Sequence, residues 1–216
     1  MNLSDLLTGS TGNDVAAKAE QKFGISKNQI IALLAVAAPL IISYLKNKSQ
    51  DAKEAEALNN TLDKHHNGNI LDDTSELDNR QEEGTSILSH IFGNQKNTVE
   101  NKLADTTGIS MDKIGPVLAM LAPVIMGFIG KQKQQNNVNA GGIDDLLGGI
   151  LGNSGGNSGG SNPLNDILGS VLGNRSGGSG NPVGDILGNI LGGDSKDQNK
   201  KDGGGIGDIL GGIFGK

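Results

Sequence analysis

Two long runs of apolar residues dominate the hydrophobic pattern of the chain, one over residues 30–45 and one over residues 114–130. Neither run contains a charged side chain, and the two superimpose at an offset of 84 residues, which places even Pro39 on Pro123. A helix that is apolar on all sides is a buried helix. The pattern therefore predicts two related helices at the centre of a core.

The duplication extends to a unit of three helices. In the first copy the pattern predicts a short helix over residues 3–9, a medium helix over residues 13–23 and the long apolar helix, which Ser26 caps. The same order returns from residue 86 onward, where Ser110 takes the place of Ser26. We therefore predict an all-α, internally duplicated helical bundle over residues 1–133, with repeat units at about 1–48 and 85–132.

Each long helix contains an interior proline, which removes the hydrogen-bond donor for the carbonyl group four residues earlier. The carbonyl affected is that of Ala35 in the first copy, before Pro39, and that of Ala119 in the second copy, before Pro123. Small residues cluster beside both prolines, which predicts that the two kinked helices cross there about an approximate two-fold axis. The second copy also contains Pro116, and we expect its helix to begin late or to break at that point.

A more polar region separates the two copies. Residues 50–66 carry apolar side chains at helical spacing, which predicts an amphipathic helix. Asn67 and Gly68 end that helix, because this pair favours a turn. The acidic stretch 72–83 is predicted to be a loop.

The composition changes near Gln134, since 25 of the 35 glycines lie in residues 134–216. A segment so rich in Gly, Asn and Ser cannot offset the entropy of ordering it as a compact domain, so we predict a largely disordered C-terminal tail. Within the tail, four segments place apolar residues along one face of a short helix. Such helices are too short to be stable alone. The segments are 142–152, 163–173, 182–192 and 205–215.

Three motifs, in this order along the chain, resemble a known family. They are HHNGNILDD (65–73), SILSHIFG (86–93) and GISMDKIGPVLAMLAPVIMGFIGKQ (108–132). Over residues 1–133 the chain is similar to the YidB-like family of bacterial proteins, which carry domain of unknown function 937. The resemblance implies an all-α bundle whose biochemical role is uncharacterised, and it carries over no catalytic residue.

The most conspicuous polar pair is His65 and His66. Neighbouring positions on a helix point about 100° apart, and no His, Asp or Glu lies four residues from either one. We therefore expect the pair to end a helix and not to bind a metal. Together with Asp63 and Asp72 these residues are only weak candidates for a site, and the sequence assigns no catalytic residue and no cofactor.

Composition narrows the classes of function. The net charge is −6 and aromatic residues are few, so the chain lacks the basic, aromatic-rich surface that nucleic-acid binding requires. Without cysteine there is neither a disulfide framework nor a thiolate site. The opening residues lack the features of a secretory signal, which predicts a cytoplasmic protein. A 16-residue apolar run spans about 24 Å as a helix, less than the roughly 30 Å of a membrane core, which favours a soluble protein.

The function that the pattern favours is a non-catalytic interaction or assembly module with a multivalent tail, whose partner is another protein or a second copy. One alternative is peripheral membrane association, although the polar faces of the tail segments hold Asp and Gly where surface-seeking helices carry Lys and Arg. A second alternative is an enzyme that uses the region of His65, His66 and Asp72. No small-molecule ligand is identifiable from the sequence.

Overall fold

The structure of the protein is a computed structural model that describes residues 2–155, and this part of the chain contains helices and no β-strand. The all-α prediction is thus confirmed. Short 3₁₀ turns lie at Thr74–Asp78, Gly93–Gln95 and Ala140–Gly142. The α-helices are α1 (Leu3–Thr8), α2 (Ser10–Phe23), α3 (Lys27–Lys48), α4 (Ala52–His65), α5 (Asn69–Asp72), α6 (Gln81–Phe92), α7 (Lys96–Thr107), α8 (Met111–Gln135) and α9 (Ile143–Gly155).

The two predicted units have the same order of helices, since α1, α2 and α3 correspond to the end of α6, α7 and α8. The offset of 84 residues places the first residue of α3 on the first residue of α8. Before these helices, Gly24 and Gly108 both adopt the left-handed conformation, with φ of 63° and 70°. Ser26 and Ser110 then both occupy the N-cap in nearly identical extended conformations. The sequence signals thus encode the same local turn twice.

The two units also contact each other reciprocally. Helix α2 packs on both α3 and α8, and its counterpart α7 packs on both α8 and α3. Gln29 donates from Nε2 to the carbonyl oxygen of Gly108, while the ammonium group of Lys113 approaches Gly24. Because Lys113 is the counterpart of Gln29, each unit places the same position of its long helix beside the capping glycine of the other.

Helices α3 and α8 form the centre of the core. Both are long and apolar enough to cross a membrane by length and composition, but 78% and 83% of the most apolar window of each is buried inside the fold. Most of each window therefore faces the surrounding helices, in agreement with the predicted burial.

The prediction that Pro116 delays or breaks the second long helix is wrong, because α8 continues from Met111 to Gln135. Pro116 lies near the start of the helix, and the only carbonyl group that it deprives of a donor is that of Asp112. Asp112 is exposed, so water can take the place of the missing donor. Gly115 beside it allows close packing of Glu100 from α7.

The prediction of a loop over residues 72–83 is also wrong. Helix α5 reaches Asp72, a 3₁₀ turn follows, and α6 begins at Gln81, five residues before the predicted short helix. The side chain of Asp73 caps the 3₁₀ turn by accepting from Ser75 N at 2.9 Å. Leu77 in that turn is fully buried and anchors the segment to the core. The medium helix α2 likewise begins at Ser10, three residues before its predicted start at residue 13.

Helix α9 is formed by the first of the four predicted tail segments. Its residues Ile143, Leu147 and Ile150 are buried, and the helix packs mainly on α3. The hydrophobic core thus continues beyond the change in composition near Gln134. The segments 163–173, 182–192 and 205–215 lie outside the described residues.

Candidate functional site

A polar pocket of about 280 Å³ lies where α4 ends and α6 begins. Its wall includes the turn after α4, where Gly68 adopts a positive φ of 99° and the side chain of Asn67 accepts from Asn69 N at 3.2 Å. Arg80, before α6, closes the opposite side. The lining residues are Lys64, His65, His66, Asn67, Gly68, Asn69, Ile70, Asp73, Glu76 and Arg80.

The turn that carries this pocket rests directly on α8. A β-carbon added at Gly130 would overlap the carbonyl oxygen of His66, and one added at Gly68 would lie 2.9 Å from Cβ of Lys131. One glycine in the turn and one in α8 are therefore needed for the close approach. The predicted end of α4 at the histidine pair is confirmed, since His65 is its last residue and His66 its C-cap.

His66 is the most perturbed group in the pocket. Its side chain is 2% exposed, and burial, together with the charges of Arg80 and His65, lowers the pKa of His66 from 6.5 to about 4. The ring is therefore neutral near pH 7, and its contact of 3.4 Å from Nε2 to Oε1 of Glu83 is that of a neutral N–H with a carboxylate. Nδ1 is then an acceptor, and it is buried without a hydrogen-bond partner among residues 2–155.

Glu83 and Arg80 fix the histidine in place. Nε of Arg80 lies 3.3 Å from the second carboxylate oxygen of Glu83, and its Nη2 donates to the carbonyl oxygen of His65 at 3.4 Å. The guanidinium group thus connects the start of α6 to the end of α4. This arrangement orients His66, and it gives each charged group a structural partner.

The two aspartates that the sequence offered as candidates lie elsewhere. Asp63 forms an ion pair with Lys133, a side chain that is only 8% exposed, and accepts a hydrogen bond from Asn59. Asp72 pairs with Lys131 at 2.8 Å. The structure thus brings His65 and His66 to one pocket and leaves both aspartates on its outside, paired with the end of α8.

The described part of the chain offers no cluster of metal-binding side chains. Residues 2–155 contain no group of three or more His, Asp or Glu side chains close enough to hold a metal ion. The pocket itself places the carboxylates of Asp73 and Glu76 beside the cationic groups of Lys64 and Arg80. Because anionic and cationic groups lie side by side, the pocket lacks the excess of negative charge that a bound cation needs.

An apolar groove of about 290 Å³ lies between α4 and α6, and the sequence did not predict it. His90 and Glu54 meet across its rim, with 3.4 Å between Nε2 and Oε2, and Lys48 lies 3.8 Å from Glu54. The remaining polar lining residues are Ser49, Thr61 and Ser86. The apolar lining residues are Leu45, Ala57, Leu58, Ile87, Ile91 and Met126.

These features define an all-α protein whose helices present a polar pocket and an apolar groove, with α9 docked on α3. The chain belongs to the family described as "Bacterial protein of unknown function (DUF937)", whose model matches residues 5–132. The resemblance read from the sequence is therefore confirmed. No curated protein and no solved structure matches the chain.

Proposed function

We propose that this protein is a non-catalytic interaction module whose C-terminal apolar segments bind helical domains, either its own or those of other protein copies or partners. The observation that carries the proposal is the docking of α9 on α3. That helix comes from the Gly-rich part of the chain, and Ile143, Leu147 and Ile150 on one of its faces are buried. The first tail segment therefore already behaves as a ligand of the bundle.

The anchor positions of α9 recur in the later segments. Each of the three buried positions is aliphatic in every segment, so a surface that accepts α9 has the chemistry to accept the others. The residues that replace Ile143 are Leu164, Val183 and Ile206, those that replace Leu147 are Leu168, Leu187 and Leu210, and those that replace Ile150 are Val171, Ile190 and Ile213.

Several weak segments on one chain raise the overall strength of binding. Linking binding elements makes the second event intramolecular, and the resulting avidity can exceed the single affinity by about 10²–10⁴-fold without any new contact. One segment occupies the domain of its own chain, and under this proposal the other three segments bind further surfaces. The proposal therefore favours assembly over catalysis.

The contacts of the polar side chains also support a non-catalytic role. Asp63 and Asp72 are paired with lysines, while Glu83 is engaged by His66 and Arg80. These interactions join α4, α5, α6 and α8, so each has a structural purpose.

The proposal is tested in the full chain with the triple variant Leu168→Asp, Leu187→Asp and Leu210→Asp. The matched control adds the same three charges in the linkers, as Asn157→Asp, Asn174→Asp and Asn199→Asp. We expect the control to keep the molar mass and the captured partners of the wild type over a range of concentrations. The triple variant should have a lower molar mass in solution and should capture fewer partners, because an aspartate at an anchor position cannot be buried without a partner.

Equal molar mass and equal captured partners for the two variants would contradict the proposal. Co-sedimentation of the same proteins with anionic liposomes separates it from peripheral membrane binding. In that case the wild type and the control would pellet with the vesicles and the triple variant would not.

A further inference from the structure

We propose that the apolar groove between α4 and α6 is a second docking site on the bundle and that its occupant is segment 163–173 of the same chain. The inference rests on the proposed function, because it assigns one of the tail segments to one surface. It goes beyond that function by naming the site, the segment and the intramolecular mode of binding.

The groove has the properties of a helix-binding surface. Ile87 and Ile91 lie four residues apart on α6, and Ala57 and Leu58 lie on the facing helix α4, so two helices supply parallel walls. Met126 of α8 forms part of the floor. The exposed surface of the groove is mostly apolar, as in grooves that accept the apolar face of an amphipathic helix.

The chemistry of the occupant is set by the helix that is already docked. Segment 163–173 repeats the anchors of α9 as Leu164, Leu168 and Val171, and it begins with Asn162 followed by Pro163. That pair provides an N-cap and a proline at the first helical position. Docking supplies the tertiary packing that an isolated helix of this length lacks.

The linker between α9 and segment 163–173 is long enough for the segment to reach the groove. A β-carbon on Gly148 of α9 would lie 3.4 Å from Cε of Lys46, and the neighbouring residue Leu45 lines the groove. Gly155 ends α9 about 10.5 Å further along the helix axis, at about 1.5 Å per residue. The linker 156–162 can extend over about 25 Å, at about 3.3–3.6 Å per residue. That reach exceeds the rise of α9 plus one helix diameter of about 10 Å.

Linker length selects this segment over the later ones. Segment 182–192 is separated from α9 by residues 156–181, a linker of 26 residues instead of seven. Effective concentration falls roughly as the −3/2 power of linker length, so the nearer segment has an advantage of about 7-fold. Segments 182–192 and 205–215 therefore stay available for other surfaces.

The chain offers a direct probe of the groove, since Met126 lines it and Met120 lies elsewhere on the same helix, fully buried. The full-length protein is labelled at its methionine methyl groups, and the Met126 resonance is assigned with Met126→Leu. We expect Leu168→Asp to shift the Met126 resonance and to leave that of Met120 in place. The matched variant Leu187→Asp should move neither.

A second pair of variants changes α4, and the effect is measured at Val171 in segment 163–173. Ala57→Asp places a charge at an exposed position in the groove, and Asn60→Asp places the same charge at an exposed position on α4 outside it. In valine-labelled protein, the methyl resonances of Val171 should shift in Ala57→Asp and not in Asn60→Asp. The assignment comes from Val171→Ala.

Three outcomes would overturn the inference. Met126 could be insensitive to Leu168→Asp, it could respond equally to Leu187→Asp, or its shift could depend on protein concentration, which would make a second copy the occupant. A failure of the proposed function is read independently, on molar mass and captured partners. Intramolecular docking at high dilution can therefore hold even if the protein assembles with nothing else.

Discussion

Gly84 of α6 packs directly against the carbonyl oxygen of Ala119 in α8, so closely that a β-carbon on Gly84 would overlap that oxygen. This is the carbonyl group that Pro123 deprives of its helical donor. The Cα hydrogens of a glycine can approach such an oxygen and partly replace the missing bond. The freed carbonyl group of Ala119 therefore faces α6. The carbonyl group freed by Pro123 and the close packing of α6 thus coincide at Ala119.

We therefore predict that Gly84→Ala destabilises the protein by about 1–3 kcal/mol, because the added methyl group forces α6 and α8 apart. The free energy of unfolding is measured with urea. The control is Gly149→Ala, at a helical position with no heavy atom within 4 Å of the added carbon.

The control variant should be neutral or more stable by up to about 0.5–1 kcal/mol, since alanine is the better helix former. An unchanged stability of Gly84→Ala would mean that the two helices separate at no cost. That result would contradict the role given to this contact.

The central helices and their caps could be predicted because their signals are local. Gly24 and Ser26 encode a helix end and a helix start within a few residues, and Gly108 and Ser110 repeat both. The burial of α3 and α8 follows from their all-round apolar composition.

The errors arose where a distant contact decides the structure. Leu77 looks like one apolar residue in an acidic stretch, and only the core to which it docks makes residues 74–78 ordered. The polar pocket was located only in part for a related reason. Asp63 lies only two residues before His65, but it pairs with Lys133, which lies 70 residues further along the chain, and so it stays outside the pocket.

The same long-range dependence hid the apolar groove. Ile87 and Ile91 could be placed on one face of a helix from their spacing. The residues around them in the sequence do not indicate that Leu58 of α4 lies opposite, or that a gap remains between the two helices. Which faces meet is a property of the assembled bundle.

The two ion pairs at the end of α8 differ in burial and should differ in energy. Lys133 is 8% exposed on its side chain beside Asp63, whereas Lys131 is 28% exposed beside Asp72. Asp63→Ala leaves a nearly buried ammonium group without its partner, and we expect a loss of about 2 kcal/mol. Asp72→Ala should cost at most about 1 kcal/mol, as exposed pairs do. Chemical denaturation of both variants measures the difference.

Lys133→Met provides the control for this comparison. It removes the buried charge and retains the apolar stem, so adding it to Asp63→Ala should restore most of the lost stability. Equal losses for the two aspartate variants would contradict the assignment of burial as the cause.

Substitution of the glycine in the turn before either long helix should reduce stability by a similar amount. Gly24 and Gly108 both have positive φ, and a β-carbon on either meets no atom closer than 3.9 Å. Alanine at either position therefore brings backbone strain without a clash, and each variant should lose about 1–2 kcal/mol. Thermal and urea unfolding of the two single variants should give similar values. Asparagine tolerates the left-handed conformation better, so Gly24→Asn should lose less than Gly24→Ala.

The buried imidazole of His66 should make stability depend on pH. Because the pKa of His66 falls from 6.5 to about 4 on folding, the unfolded chain binds a proton that the folded chain does not. The stabilising contribution is complete above about pH 7.5 and is lost as the pH falls toward 4. Between about pH 7.5 and about pH 5 the loss should reach up to about 2 kcal/mol. Glu83, beside the ring, would offset part of it by stabilising the charged form.

Urea unfolding of the wild type, His66→Gln and His65→Gln across this range tests the assignment. His66→Gln removes the titrating group, so its stability should vary less with pH than that of the wild type. His65→Gln changes the exposed neighbour and should keep most of the wild-type slope. If His66→Gln instead keeps the wild-type dependence of stability on pH, another group binds the proton on unfolding, and the pKa of His66 is not lowered in the folded protein.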